Sequence, residues 1–170
     1  MTSQKNIFLI GLMGTGKTTV GRHLARKLKM EFIDSDREIE ERTGVDIPLI
    51  FEKEGESGFR KREATIIDEL TQKKNIILAT GGGAILSSEN RNHLINRGTV
   101  FYLKSNLETL VARTSKNKNR PLLHADEPVE VTLQRLLTQR EPLYEEVADF
   151  TIASANNSIH NVIHAIIKFL

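Results

Sequence analysis

The feature that most constrains this chain is a glycine-rich segment near its start, GLMGTGKT at positions 11–18. It fits the pattern G-x-x-x-x-G-K-[ST], whose backbone N–H groups surround phosphate oxygens. An apolar run of strand type, 6–10, precedes the segment, and a stretch with helical spacing of apolar residues, 19–29, follows it. Strand, loop and helix in this order are the context that the pattern requires, because the helix N-terminus adds unpaired donors and a partial positive charge. The segment predicts a nucleoside triphosphate site.

Each fixed position of this loop has a physical task. Gly11, Gly14 and Gly16 permit backbone torsions that a side chain would block, so that N–H groups can turn inward around an anion. Lys17 is expected to reach the β- and γ-phosphates, and the Thr18 hydroxyl is expected to hold Mg²⁺. The loop by itself does not indicate what else the protein binds.

Composition restricts the class of protein. The chain has 170 residues, 39% hydrophobic and 27% charged, with a net charge of +2 and no cysteine. One domain with a substantial core is expected, without disulfides or thiolate metal sites. The weak charge bias gives no reason to expect nucleic acid or a membrane surface as a partner. No basic-then-apolar stretch precedes the first strand and no apolar run could span a bilayer, so we expect a cytoplasmic protein.

Strand and helix signals alternate along the whole length, which predicts an α/β fold with a parallel sheet. The predicted strands are 6–10, 31–34, 75–79, 99–103 and 150–152. The predicted helices are 19–29, 35–43, 46–54, 56–71, 88–97, 105–114, 128–145 and 158–170, with the break between the third and fourth around Gly55. Ser35 with Glu38, and Ser105 with Glu108, have the spacing of capping boxes. The polar segment 115–121 has the composition of a mobile loop.

Ligands of an open parallel sheet bind at the carboxyl ends of its strands. Asp34 ends a strand that we expect beside the first strand. Its carboxylate could bind Mg²⁺ through the inner water shell of the ion, because Mg²⁺ prefers few protein ligands. Asp36 could accept hydrogen bonds from a substrate hydroxyl, or could only favour a helix N-terminus electrostatically. The triplet 81–83 is all glycine and offers backbone that a ligand can approach, or forms a flexible turn. These segments and the 11–18 loop are predicted to share one site.

Arginine and histidine positions are less informative. Arg60, Arg113 and Arg140 are individually typical of solvated surface residues. Arg120 differs because it lies in the polar 115–121 segment, where a guanidinium could close over phosphates. His160 and His164 have a spacing that could bind zinc, but no third ligand is evident, and the loop pattern already implies Mg²⁺.

Taken together, these segments resemble the shikimate kinase family over essentially the whole chain. The matching segments are 11–21, 32–36, 51–63, 81–84, 120–123 and 140–144. The resemblance implies a three-layer α/β/α P-loop kinase fold with a five-stranded parallel sheet in the order 2-3-1-4-5. It also implies substrate-binding helices at about 36–71 and a mobile lid at about 115–127, within a single domain spanning 1–170.

The resemblance implies transfer of the ATP γ-phosphoryl group to the 3-hydroxyl of shikimate, with one Mg²⁺ per subunit. Lys17, Asp36 and Arg120 are implied catalytic residues, and Thr18 and Asp34 are implied magnesium residues. The implied shikimate site comprises Asp36, Arg60, Gly82 and Arg140, with Phe51, Phe59 and Glu63 around it. The implied nucleotide site comprises Gly14, Thr15, Gly16, Lys17, Thr18, Thr19, Arg113, Arg120 and Asn156. Within it, Arg113 and the loop 154–157 are the implied adenine contacts.

Other functions stay open at this point. A related small P-loop kinase could act on gluconate, which keeps a substrate with a carboxylate and hydroxyls, or on a nucleoside monophosphate, which would need more arginines around a second phosphate. A protein that binds nucleotide without turnover is a third possibility, against which the intact Lys17, Thr18, Asp34 and Arg120 argue. We expect a monomer.

Overall fold

The computed structural model describes residues 5–114 and 126–170, and within them five strands form one parallel sheet. The strands are β1 (Ile7–Ile10), β2 (Glu31–Asp34), β3 (Ile76–Ala79), β4 (Thr99–Lys104) and β5 (Phe150–Ala153). Their order is β2-β3-β1-β4-β5, as the resemblance implied. Ile7 is paired with Ile77 on one side and with Thr99 on the other, so β1 is the central strand.

Helices cover both faces of the sheet. The described helices are α1 (Lys17–Leu28), α2 (Ser35–Thr43), α3 (Ile47–Thr71), α4 (Ser88–Arg97), α5 (Leu107–Thr114), α6 (Val129–Val147) and α7 (Ile159–Ile167), with a 3₁₀ turn at Ala84–Leu86. Each predicted helix has a counterpart among them. Gly55 lies within α3 at φ 73° and ψ 177°, which confirms the predicted break at a residue that tolerates positive φ.

The strand residues alternate between two hydrophobic clusters. Phe8 and Ile10 face a cluster with residues of α2 to α6, whereas Ile7 and Leu9 face a cluster with α1 and α7. All four side chains are buried. A strand buried on both faces is expected of a parallel sheet covered by helices, and the result is the three-layer architecture that the resemblance implied.

Both predicted capping boxes are wrong in detail. The Asp34 carboxylate caps α2 by accepting from the N–H groups of Asp36 and Arg37, while the Ser35 side chain is directed elsewhere. At α5, Asn106 Oδ1 accepts from the Thr109 N–H at 2.8 Å. In each case an Asx side chain beside the predicted serine performs the capping, because Asp and Asn are at least as favourable as Ser in this position.

No helix within 5–114 or 126–170 has both the length and the apolar character that a membrane crossing requires.

Candidate active site

The glycine loop between β1 and α1 surrounds one end of an open cavity of about 430 Å³. Gly16, which precedes α1, has φ 92°, a conformation that L side chains rarely adopt. The Lys17 side chain is buried, and its Nζ donates to the carbonyls of Gly11 at 2.7 Å and Leu12 at 2.9 Å. The lysine that we predict to reach the phosphates therefore binds the backbone of its own loop in this structure.

The cavity brings together most of the predicted nucleotide and magnesium residues with Asp36 and Gly82. The other predicted shikimate residues are not among its lining: Arg60, Arg140, Phe51, Phe59 and Glu63. Its lining comprises residues 14–20, Asp34, Asp36, residues 80–82, Arg113, Ser154, Asn157, Ile159 and Val162. The carboxyl ends of β1, β2 and β3 thus meet at one edge, as expected for an open parallel sheet. This list includes Gly14, Thr15, Gly16, Lys17, Thr18 and Thr19 from the predicted nucleotide site.

The two predicted magnesium residues are in contact. Thr18 Oγ1 donates to Asp34 Oδ2 at 2.7 Å, and Asp34 Oδ1 accepts from the Asp36 N–H at 3.0 Å. The expectation that Asp34 ends the strand beside β1 is wrong, because β3 lies between β1 and β2. The contact forms nonetheless, since the first turn of α1 lies over the carboxyl end of β3.

The glycine triplet 81–83 lies against two charged side chains of the predicted substrate site. A Cβ on Gly81 would approach Asp36 Oδ1 to 2.5 Å, and a Cβ on Gly83 would overlap the Arg60 guanidinium. Real Cβ atoms essentially never come so close. The triplet is therefore a surface on which Asp36 and Arg60 rest, rather than only a flexible turn.

Arg60 and Glu63 form an ion pair beside this triplet. Arg60 Nη1 donates to Glu63 Oε1 at 2.9 Å, and the Glu63 side chain is only 1% exposed. Burial raises the pKa of the Glu63 carboxyl from 4.5 to about 7; the Arg60 charge opposes this rise, and the neighbouring Asp36 carboxylate adds to it. Glu63 Oε2 and Arg60 Nε are buried without a hydrogen-bond partner among the described residues.

Arg140 is a buried cation with no ion pair in the part of the chain that the structure describes. It is 2% exposed, and its Nε has no hydrogen-bond partner there. Burial lowers the pKa of the Arg140 guanidinium, and the Arg60 charge lowers it further. Its Nη1 would lie 3.5 Å from a Cβ on Gly82. Arg60 also pairs with the Glu56 carboxylate, with Nη2 and Oε1 3.3 Å apart, so Arg140 is the guanidinium of this cluster that has no ion pair among the described residues.

Two predicted aromatic residues lie next to this cluster. The rings of Phe51 and Phe59 are tilted against each other at a centroid distance of 4.9 Å. The Arg60 guanidinium lies 5.2 Å from the centre of the Phe59 ring, within cation–π range. Phe59 is buried and Phe51 half-buried, so both form part of the wall behind Arg60.

Three of the predicted adenine contacts, Arg113, Ser154 and Asn157, line the same cavity as the glycine loop. Arg113 Nη1 donates to the Gly14 carbonyl at 3.0 Å, which places its guanidinium over the glycine loop. In the loop after β5, Ser154 and Asn157 line the cavity, whereas Asn156 is exposed with φ 59° and is not among the lining residues. The role of Asn156 stays a prediction. Arg120 and nearly all of the predicted lid lie outside the described residues.

Sequence reasoning gave no site role to Ser35 and Tyr144. Ser35 Oγ accepts from the Gly81 N–H at 3.0 Å, which joins the turn after β2 to the glycine triplet. Tyr144 Oη donates to the Gly82 carbonyl at 2.5 Å. Tyr144 follows Arg140 by four residues on a helix, a spacing that places both on one face and could have indicated a shared role. Ser35 had no comparable signal.

The raised pKa of Glu63 predicts a pH dependence of stability. Between pH 4.5 and about 7 the folded protein holds a proton on Glu63 that the unfolded chain has released, so the free energy of unfolding falls as pH rises. At 1.36 kcal/mol per pKa unit the loss is at most about 3 kcal/mol. Glu63→Gln cannot titrate. Urea unfolding should therefore find the variant close to wild type at pH 4.5 and more stable than wild type at pH 8.

Glu52→Gln, an exposed position on the same helix, controls for the change in net charge. Its unfolding free energy should follow that of wild type across the pH range. If Glu63→Gln also remains parallel to wild type from pH 4.5 to 8, Glu63 is ionised throughout and the argument from burial is wrong.

Comparisons with known proteins show the family to which this chain is similar. A family model described as shikimate kinase matches residues 13–170. The shikimate kinase of Vibrio parahaemolyticus serotype O3:K6 is 54% identical over 170 residues, which cover 100% of this chain and 98% of the relative. The shikimate kinase of Buchnera aphidicola subsp. Baizongia pistaciae is also 54% identical, over 171 residues with the same coverage.

Solved structures give the same result. A shikimate kinase from Acinetobacter baumannii, in complex with shikimate, is 51% identical with a TM-score of 0.94 and covers 98% of this chain and 92% of its own. The shikimate kinase of Aquifex aeolicus is 36% identical with a TM-score of 0.83, covering 96% and 94%. With a family model over residues 13–170 and full-length relatives at 54% identity, the chain belongs to the shikimate kinase family.

Proposed function

We propose that this protein transfers the γ-phosphoryl group of ATP to the 3-hydroxyl of shikimate, giving 3-phosphoshikimate and ADP. Family membership supports the reaction, and the cavity extends from the glycine loop to Asp36 and Gly82, beside the glycine triplet against which Arg60 and Arg140 lie. The glycine loop is the proposed end for ATP. The cluster of Asp36, Arg60 and Arg140 around the glycine triplet is the proposed end for shikimate.

The observation that carries the proposal is the buried Arg140 guanidinium, which has no ion pair among the described residues. An isolated buried charge is costly, and it is tolerated where an anion binds beside it. Shikimate supplies one carboxylate, and a guanidinium can bind a carboxylate through two parallel hydrogen bonds. Arg60, which lies close enough to influence the Arg140 pKa, is the proposed second partner of that carboxylate.

Asp36 is the proposed contact for the substrate hydroxyls. Its carboxylate lines the cavity between the glycine loop and the glycine triplet, on the side of the proposed shikimate site. A carboxylate there can accept a hydrogen bond from the attacking hydroxyl, orient it toward the γ-phosphoryl group and take up its proton. Gly82 has no side chain, so shikimate could approach its backbone closely. Behind Arg60 lie three further side chains of the proposed site, Phe51, Phe59 and Glu63.

Thr18 and Asp34 fit a magnesium ion by chemistry and position. A hydroxyl and a carboxylate oxygen 2.7 Å apart are hard oxygen ligands of the kind that Mg²⁺ takes in small number, and these two residues would hold the ion. Bound there, Mg²⁺ would neutralise charge on the phosphates. Capping of α2 by the other Asp34 oxygen fixes the carboxylate in place.

The chain's own contribution is mostly placement and positive charge, because phosphoryl transfer requires little covalent chemistry from the protein. Lys17 would exchange the Gly11 and Leu12 carbonyls for phosphate oxygens. Arg113 lies over the glycine loop and is a proposed contact of the adenine ring. Asn156 is a further proposed adenine contact. Arg120, outside the described residues, stays a predicted second cation. A monomeric state, a cytoplasmic location and the absence of nucleic-acid and membrane partners also stay predictions.

The proposal is tested by coupled ADP release with ATP and Mg²⁺, with shikimate, gluconate and AMP offered in turn. ADP should form in step with shikimate consumption, and product NMR should place the phosphate on the 3-hydroxyl. Chelation of Mg²⁺ should abolish turnover. Faster ADP formation with gluconate or AMP would mean that this compound, and not shikimate, is the preferred substrate. Tight nucleotide binding without turnover on any acceptor would identify a binding protein instead.

A further inference from the structure

Tyr144 lies one helical turn beyond Arg140 on α6 and shares its buried face. Its side chain is 1% exposed. The Tyr144 hydroxyl donates to the Gly82 carbonyl at 2.5 Å, across 62 residues of sequence. The residue therefore joins the helix that carries Arg140 to the glycine triplet of the proposed shikimate site.

The same hydroxyl neighbours the Arg140 guanidinium. Burial raises the pKa of the Tyr144 hydroxyl, and the Arg140 charge opposes that rise. In return, the Tyr144 hydroxyl opposes the lowering of the Arg140 pKa by burial. Arg140 Nη1 would lie 3.5 Å from a Cβ on Gly82, so the Tyr144 hydroxyl and the Arg140 guanidinium approach the same glycine.

The Tyr144 ring is held in place independently of its hydroxyl. It stacks on the Tyr102 ring with centroids 5.0 Å apart and an angle of 23° between the planes. Tyr102 is on β4 and is also 1% exposed. A ring packed in this way has few alternative rotamers, so its hydroxyl is a fixed point.

We propose that Tyr144 is a positioning residue for shikimate, whose hydroxyl fixes the Gly82 peptide and the Arg140 guanidinium relative to each other. The proposal rests on the function proposed above. Three consecutive glycines have little conformational preference of their own, so an external contact is needed to fix the Gly82 peptide. A long arginine side chain loses rotamer freedom when it binds, and a fixed neighbour reduces that cost before the carboxylate arrives.

Tyr144→Phe tests the proposal because it removes the hydroxyl and keeps the stacked ring. We expect the KM for shikimate to rise about tenfold, with kcat and the KM for ATP within about twofold of wild type. The tenfold change corresponds to about 1.4 kcal/mol, in the range of one hydrogen bond beside a charge. The measurement is steady-state ADP release, with shikimate affinity checked by titration calorimetry.

Tyr102→Phe is the matched control, since it removes a hydroxyl from the same stack on the partner ring. It should leave the KM for shikimate within about twofold of wild type. Arg140→Lys supplies the second test. If Tyr144 acts through Arg140, adding Tyr144→Phe to Arg140→Lys should raise the KM for shikimate less than twofold further.

These experiments distinguish failure of the proposed kinase function from failure of the positioning role of Tyr144. If wild type does not phosphorylate shikimate, the proposed function fails, whatever Tyr144 does. If wild type is active and Tyr144→Phe has an unchanged KM for shikimate, the positioning role is overturned. Equal rises in both KM values, or a full tenfold further rise in the Arg140→Lys background, would also overturn it, since the hydroxyl would then act on general stability or independently of Arg140.

Discussion

Asp36→Asn should lower kcat with shikimate by about 10²- to 10⁴-fold while nucleotide affinity stays within about twofold. Asparagine keeps the size of the side chain but cannot take up the proton of the attacking hydroxyl, and a positioned general base contributes about this factor. The Asp36 side chain lies against Gly81, apart from the Lys17 contacts that organise the glycine loop. Steady-state ADP release and calorimetric titration with ADP measure the two effects separately.

The pH profile distinguishes the two roles proposed for Asp36. A base that must be ionised gives wild type an acidic limb in kcat that Asp36→Asn lacks. If Asp36 only orients the hydroxyl, the amide can still accept a hydrogen bond, and the loss in kcat should be tenfold or less with the acidic limb retained. The measured loss therefore decides between base and orienting group.

Glu41→Gln is the control for Asp36→Asn. Glu41 is on the same helix, α2, where it forms an exposed ion pair with Arg37 at 3.4 Å. Such surface pairs contribute little, so kcat and both KM values should remain within about twofold of wild type. Full activity of Asp36→Asn would reject the assignment of the site, because no other described side chain combines its charge with its place between the two proposed ligands.

The parts of the fold that depend on local chemistry were predictable. The glycine loop required a strand before it and a helix after it, and β1 and α1 have these positions. The break in α3 followed from Gly55. The order of the strands came from the resemblance and not from periodicity, which carries no information on which strands become neighbours. Reasoning from the residues alone placed β2 beside β1, where β3 lies.

The chemistry that depends on burial was not predictable. Arg140 and Arg135 are both arginines on α6, yet one is 2% exposed and the other forms a surface pair with Glu127. Only the packing of α6 against the sheet distinguishes them. The raised pKa of Glu63 likewise follows from its burial, because the i,i+3 spacing predicts a contact with Arg60 but not that the carboxyl is buried. Because most charged residues lie on the surface, a sequence gives no sign of the few charged side chains that are buried in a site.

Arg140→Met should change activity and stability in opposite directions. The loss of the buried cation that we propose binds the substrate carboxylate should lower kcat/KM for shikimate by about 10²- to 10⁴-fold, since removing one partner of a buried charge pair costs about 3–5 kcal/mol. In the absence of shikimate the same change removes a buried charge that lacks an ion pair among the described residues. The free energy of unfolding should rise by about 1–4 kcal/mol, with Tm rising by about 2–4 °C per kcal/mol.

Thermal unfolding with and without shikimate measures both halves of this prediction. Shikimate should raise the Tm of wild type, because a ligand that binds only the folded state stabilises it, and should leave the Tm of Arg140→Met unchanged. Arg135→Met, on the exposed face of α6, should keep wild-type activity and the response to shikimate. A lower Tm for ligand-free Arg140→Met would mean that the Arg140 charge stabilises the folded protein even without a bound carboxylate. The lack of an ion pair among the described residues would then not identify Arg140 as an anion-binding group.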